Sequence, residues 1–129
     1  IEQSLHVTQS WSLINGPSVG MHTHSHSNSV VSGSLYYCDL PDPVASMIFD
    51  RSVTYQQLVF SPLKGKQNLY NTPANIVTPK KNEVILFSSS LQHAVQINGS
   101  TQPRHSIAFN CFVKGKLGDY RDVSELVIS

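Results

Sequence analysis

Between Arg104 and Val113 the side chains change character at every step: Arg104, Ser106, Ala108 and Asn110 alternate with His105, Ile107, Phe109, Cys111 and Val113. A period of two is the mark of a β-strand, whose successive side chains point to opposite faces. The rest of the chain is punctuated in the same way. Short β-branched and aromatic runs are divided by Gly, Pro, Asn and Asp at the intervals of a sandwich or barrel, and helical periodicity is nearly absent. The expected fold class is therefore mainly β, with little helix. Strands are expected over 5–14, 21–26, 30–38, 47–49, 54–60, 74–78, 83–87, 93–98 and 104–113, with a short strand or helical turn at 123–128. The run 83–87 is continuously apolar and predicts a strand covered on both faces. The polar stretch 61–72 predicts a mobile loop over the site.

The alternation at 104–113 also constrains function. Its mainly apolar side is expected to pack outward against a second layer. The other side carries a permanent guanidinium, which must face either solvent or an internal cavity with an anionic occupant.

A chain of 129 residues suits one domain, expected over 1–129; it opens at Ile1 without a Met, which suggests a missing N-terminal extension. Charged residues make up only 13% against roughly a quarter in ordinary domains, so the surface is expected to be dressed with Ser, Thr, Asn and Gln. A net charge of +1 without a run of Lys or Arg argues against electrostatic capture of duplex nucleic acid or an anionic membrane. Cys38 and Cys111 form no CxxC pattern and read as two buried thiols in a reducing compartment. No targeting segment or apolar span of about twenty residues is visible, so a soluble, cytoplasmic protein is expected. Asn98-Gly99-Ser100 fits the glycosylation pattern but reads better as a turn.

The chemistry-bearing residues are histidines. His22, His24 and His26 occupy every second position, which in an extended strand aims all three at one face, and His93 lies far downstream. Neutral imidazole binds Zn, Cu, Fe or Ni, and a mononuclear site with open positions needs a local pair and one distant group. The pair can be His24 with His26 or His22 with His24. His6 and His105 read as surface residues, and Trp11 as core.

The order of these parts, a histidine strand, a tyrosine-bearing strand, a distant His93 and an Arg104 after ten intervening residues, resembles the iron(II)- and 2-oxoglutarate-dependent oxygenases. The likeness is closer to a phage and bacterial branch whose patterns run HxHPxSxLSGxYY, FPSxLxHxV and RxSxxFN. Here the corresponding stretches read HSHSNSVVSGSLYY, LFSSSLQHAV and RHSIAFN, spanning about residues 11–112. Prolyl hydroxylases are more distant relatives.

The resemblance implies a double-stranded β-helix, or jelly roll. It implies Fe(II) held by His24, His26 and His93, and 2-oxoglutarate held by Arg104 and Ser106, with Tyr37 matched to the tyrosine that hydrogen-bonds that cosubstrate. It further implies O2 as the second cosubstrate and a reaction yielding succinate, CO2 and a hydroxylated product. The primary substrate carries no motif, and a homodimer is an open alternative. One departure stands out: the family's usual carboxylate is replaced by His26, making a ligand set of three neutral imidazoles. Two other readings compete: a cupin using His22, His24 and His93, and a non-catalytic jelly-roll binding module.

Overall fold

The computed structural model describes residues 3–51, 62–119, 121 and 123–129. Every regular element among them is a strand: β1 (Ser4–Asn15), β2 (Met21–His24), β3 (Val31–Tyr36), β4 (Met47–Asp50), β5 (Ala74–Val77), β6 (Glu83–Ser88), β7 (Gln92–Val95), β8 (Arg104–Asp119) and β9 (Val123–Ile128). The expected strand at 54–60 lies outside the described residues. With no helix among the described residues, none is long and apolar enough to cross a membrane.

The strands form two antiparallel sheets, one in the order β1-β8-β3-β6 with β9 paired to β8, the other in the order β2-β7-β4-β5. From β1 to β4, and again from β5 to β8, successive strands alternate between the sheets, which is how a jelly roll winds. The large sheet is set by a continuous register. Trp11, Leu13 and Asn15 of β1 stand opposite Ala108, Ser106 and Arg104 of β8, after a bulge between Val7 and Gln9. On the other flank Ser34 of β3 stands opposite Ala108.

Parity then decides what faces the second sheet. Arg104, Ser106, Ala108 and Asn110 are all buried, as are Ser32, Ser34 and Tyr36, so the inner face of the large sheet is mostly polar. The core proper is small: Tyr36, Met47 and Phe49, packed by Ile85, Phe87, Leu91 and Val95. The covering layer expected on the apolar side of β8 lies instead on its polar side. Likewise β6 is not covered on both faces: Ile85 and Phe87 point inward, while Val84 and Leu86 are 50% and 63% exposed on the outside.

Short segments place the site. The 15–18 turn is closed by the Val19 N–H donating to the Gly16 carbonyl at 3.2 Å. Gly20 then passes so near β7 that a Cβ there would lie 2.8 Å from the Val95 carbonyl oxygen, so this approach needs glycine. β7 ends at Val95, short of the expected 98. Asn98 turns the chain instead: its side-chain N–H groups donate to the carbonyls of Asn15 at 3.0 Å and Gln102 at 2.8 Å. Residues 62–72 are turns knit by Asn68, whose carbonyl accepts from the Thr72 hydroxyl at 2.8 Å. Both cysteines are free thiols, Cys111 buried and Cys38 half-buried.

Candidate metal centre

β2 and β7 are antiparallel neighbours, and their register puts His24 directly opposite His93. Residues directly opposed on one face of a sheet bring their side chains into contact, and here the two ring centroids are 4.4 Å apart. His26 arrives by another route. The strand stops at His24, and the His26 backbone N–H donates to the Ser89 carbonyl in the β6–β7 turn at 2.9 Å. That bond swings its ring to 5.1 Å from both His24 and His93. One ring nitrogen from each of the three falls within 4.8 Å of the others.

The expected alternation of three histidines on one strand face is therefore not how the group is built. His22 is exposed, its ring 5.5 Å from that of His24, and it stands outside the trio. His26 joins through a loop rather than through the pleat.

Local hydrogen bonds aim two of the rings. His24 Nδ1 lies 2.8 Å from the His22 carbonyl and His93 Nδ1 lies 2.9 Å from the Leu91 carbonyl. A carbonyl only accepts, so each Nδ1 carries the proton and each Nε2 keeps a lone pair for a metal. Burial is the main cause holding His93 below the usual histidine pKa, and His24 and His26 push it further down, partly offset by the Leu91 bond. His26 is lowered as well, first by burial and then by His24. Both effects favour the neutral, metal-binding form.

The walls around the trio are apolar. Phe87 packs on His93 at 4.5 Å between ring centroids, Trp11 meets His26 edge-on at 5.9 Å, and Leu13, Met21, Met47 and Val95 complete a cavity that reaches Ser34 and Ala108. On the far side of Phe87 a separate groove is lined by Phe49, Leu69, Val77 and Leu91, which brings the 62–72 turns up behind the site.

Tyr36 is the next inward residue of β3 beyond Ser34, about 6.7 Å further along the strand, and there the interior changes character. Arg104 is 1% exposed and Ser106 beside it on β8 equally so. Arg104 Nη2 donates to the Tyr36 hydroxyl at 2.8 Å, while its buried Nε has no hydrogen-bond partner. None of the ion pairs among the described residues involves Arg104. Burial raises the Tyr36 pKa, against lowering contributions from Arg104 and Ser34, so the phenol stays protonated at neutral pH.

The structure places the two adjacent tyrosines on opposite faces. Tyr37 is 44% exposed, whereas Tyr36 is fully buried against Arg104. The strand's parity fixes this: Ser34 and Tyr36 point inward together, which turns position 37 to the outside. Counted from Ser32-Gly33, the second tyrosine of the SGxYY pattern also falls on 36.

The fold and this constellation define a jelly-roll protein with a histidine trio on an internal cavity and, further along the inner face of the large sheet, a buried arginine with no ion-pair partner among the described residues. Residues 9–110 match the family model described as "Putative 2OG-Fe(II) oxygenase", and the chain belongs to that family. Among solved structures it is similar to an oxidoreductase of the 2OG-Fe(II) oxygenase family from Burkholderia pseudomallei, with a TM-score of 0.61 and 12% identity over 86% of this chain and 46% of that one. The chain thus spans less than half the length of that relative, and at this identity the likeness concerns the fold. No curated protein matches the chain.

Proposed function

We propose that this chain is an iron(II)- and 2-oxoglutarate-dependent dioxygenase that hydroxylates its substrate and releases succinate and CO2. The observation that carries the reading is Arg104, a guanidinium buried in the barrel with no acidic partner among the described residues and an unpartnered Nε. A buried charge of this kind calls for an anion. A dicarboxylate whose far end meets Arg104 would direct its other end along the inner face of the large sheet toward the cavity at the three imidazoles.

The donor set fits iron. His24, His26 and His93 bring three ring nitrogens within 4.8 Å of one another, and three protein ligands would leave coordination positions for small ligands. Iron(II) bound there supplies O2 activation coupled to decarboxylation of 2-oxoglutarate. The protein's own residues bind and orient. Arg104 pairs with the distal carboxylate in the forked geometry that guanidinium and carboxylate share. The Tyr36 and Ser106 hydroxyls add donors beside it. Trp11, Leu13, Met47 and Phe87 keep water from the reacting end.

The cupin reading needs His22 in the ligand set and gives Arg104 no task. His22 sits outside the trio, and no observation favours that reading over the first. The test is succinate release by the anaerobically iron-loaded protein on adding 2-oxoglutarate and air. The expected result is succinate formation by the native chain and none by His93→Ala. No succinate from the native chain, with iron retained, would favour a binding module.

A further inference from the structure

His24 and His93 are placed by the β2–β7 ladder, but His26 lies beyond it, and its described backbone tie is the single bond from its N–H to the Ser89 carbonyl. What fixes Ser89 therefore fixes His26. Ser89 is fully buried. Its own N–H donates to the Val30 carbonyl at 3.2 Å, which pins the turn to the start of β3. Its hydroxyl lies 2.7 Å from the Ser29 hydroxyl and 2.8 Å from that of Ser32. Ser32 Oγ in turn donates to Asn110 Oδ1 at 2.7 Å. Because that oxygen only accepts, Ser32 donates to Asn110 and accepts from Ser89, while the single Ser29 proton is shared among Ser89 and the carbonyls of Cys111 at 3.0 Å and Val31 at 3.2 Å. The network joins β3, β8 and the β6–β7 turn, and Ser89, at its middle, is where the turn meets His26. The same turn leads within four residues to His93.

We propose that Ser89 is a positioning residue for the metal centre: its buried hydroxyl network holds the carbonyl that sets His26 against the His24–His93 pair. This rests on the reading of the three histidines as metal ligands. Ligands are oriented by the groups that support them, and losing such support typically lowers metal affinity about 10- to 100-fold. Ser89→Ala keeps the carbonyl but releases the turn that aims it. A buried serine whose hydroxyl does no such work is available for comparison, Ser46, which bonds Thr78 at 2.8 Å.

The experiment is titration of the metal-free full chain with cobalt(II), a probe whose visible spectrum reports ligand geometry. It is followed by affinity, spectrum and melting temperature for Ser89→Ala, Ser32→Ala, Ser46→Ala and His26→Ala. The expected result is a cobalt affinity lowered about 10- to 100-fold in Ser89→Ala with an altered spectrum, and a smaller change of the same kind in Ser32→Ala. Ser46→Ala should lower the melting temperature while binding cobalt as the native chain does. Adding Ser89→Ala to His26→Ala should cost no further affinity, since the ligand it positions is gone. Native-like binding and spectrum in Ser89→Ala overturn the proposal, as does an equal loss on the His26→Ala background. Should Ser89→Ala fail to fold, unchanged binding in Ser32→Ala overturns it. A native chain that takes up no cobalt would instead sink the metal-centre reading itself, and is seen before any variant is made.

Discussion

Arg104 Nη2 donates a 2.8 Å hydrogen bond to the Tyr36 hydroxyl, and the same guanidinium lies with its Cζ 5.0 Å from the centre of the Tyr36 ring. The two side chains come from strands β8 and β3, adjacent in the sheet yet 68 residues apart in sequence. A tyrosine can steady a guanidinium in this way, but it cannot neutralise one.

An uncompensated buried charge weakens the empty protein, so replacing Arg104 with an apolar chain of similar length should not harm the fold. Arg104→Met is expected to melt at the native temperature or above in the absence of ligands, and to bind 2-oxoglutarate about 100-fold more weakly, on the order of 3 kcal/mol. Metal affinity should stay near native. Differential scanning calorimetry and anaerobic titration calorimetry measure these quantities. A large loss of melting temperature would make Arg104 a structural residue.

The two adjacent tyrosines should separate cleanly. Tyr36→Phe removes one buried donor at the arginine and is expected to weaken 2-oxoglutarate binding by about 1 kcal/mol, roughly fivefold. Tyr37→Phe alters an exposed ring and should leave binding unchanged. Equal effects, or an effect from Tyr37 alone, would contradict the parity of β3. Titration of both variants with 2-oxoglutarate is the measurement.

The lowered pKa values of His93 and His26 give the metal-free protein an acid sensitivity. In the unfolded chain both rings take up protons near pH 6.5, whereas burial keeps them neutral in the folded state to lower pH. Below that value the unfolded state binds more protons than the folded one, so stability should fall as pH is lowered from about 6.5 through the folded pKa values. Above it the contribution is fully present. Melting temperatures between pH 8 and pH 5 should show the decline in the native chain and a smaller one in His93→Gln. Bound metal should delay the decline.

Much of this fold was legible because its strands are short and bounded by Gly, Pro and Asn. The inner face of β8 could be read from Arg104 and Ser106, because a charged and a polar residue sharing one parity demand an explanation. On β3 the same reasoning would mislead. Val31, Gly33 and Leu35 look like the buried side and Ser32 and Ser34 like the wet one, yet Ser32, Ser34 and Tyr36 line the interior. The ordinary rule of apolar side chains inward is inverted there, and only pairing with β8 reveals it. The spacing of His26 fits a strand, yet β2 ends at His24. The Ser89 carbonyl that ends the strand comes from 63 residues downstream, and no local pattern announces it. The ladder pairing of His24 with His93 is non-local as well, although two histidines on separate short strands made it a reasonable expectation.

The proposed function requires the interior of the barrel to hold a metal at His24, His26 and His93 and 2-oxoglutarate at Arg104. The most direct measurement is the anaerobic melting temperature of the native chain with iron(II) alone, with 2-oxoglutarate alone and with both. Ligand at 100 times its dissociation constant stabilises by about 2.7 kcal/mol, which for a chain of this length raises the melting temperature by roughly 10 °C. The expected result is a rise of that order from 2-oxoglutarate when iron is present, much less when it is absent, and none in Arg104→Met. A rise with iron that 2-oxoglutarate does not increase would overturn the proposed function.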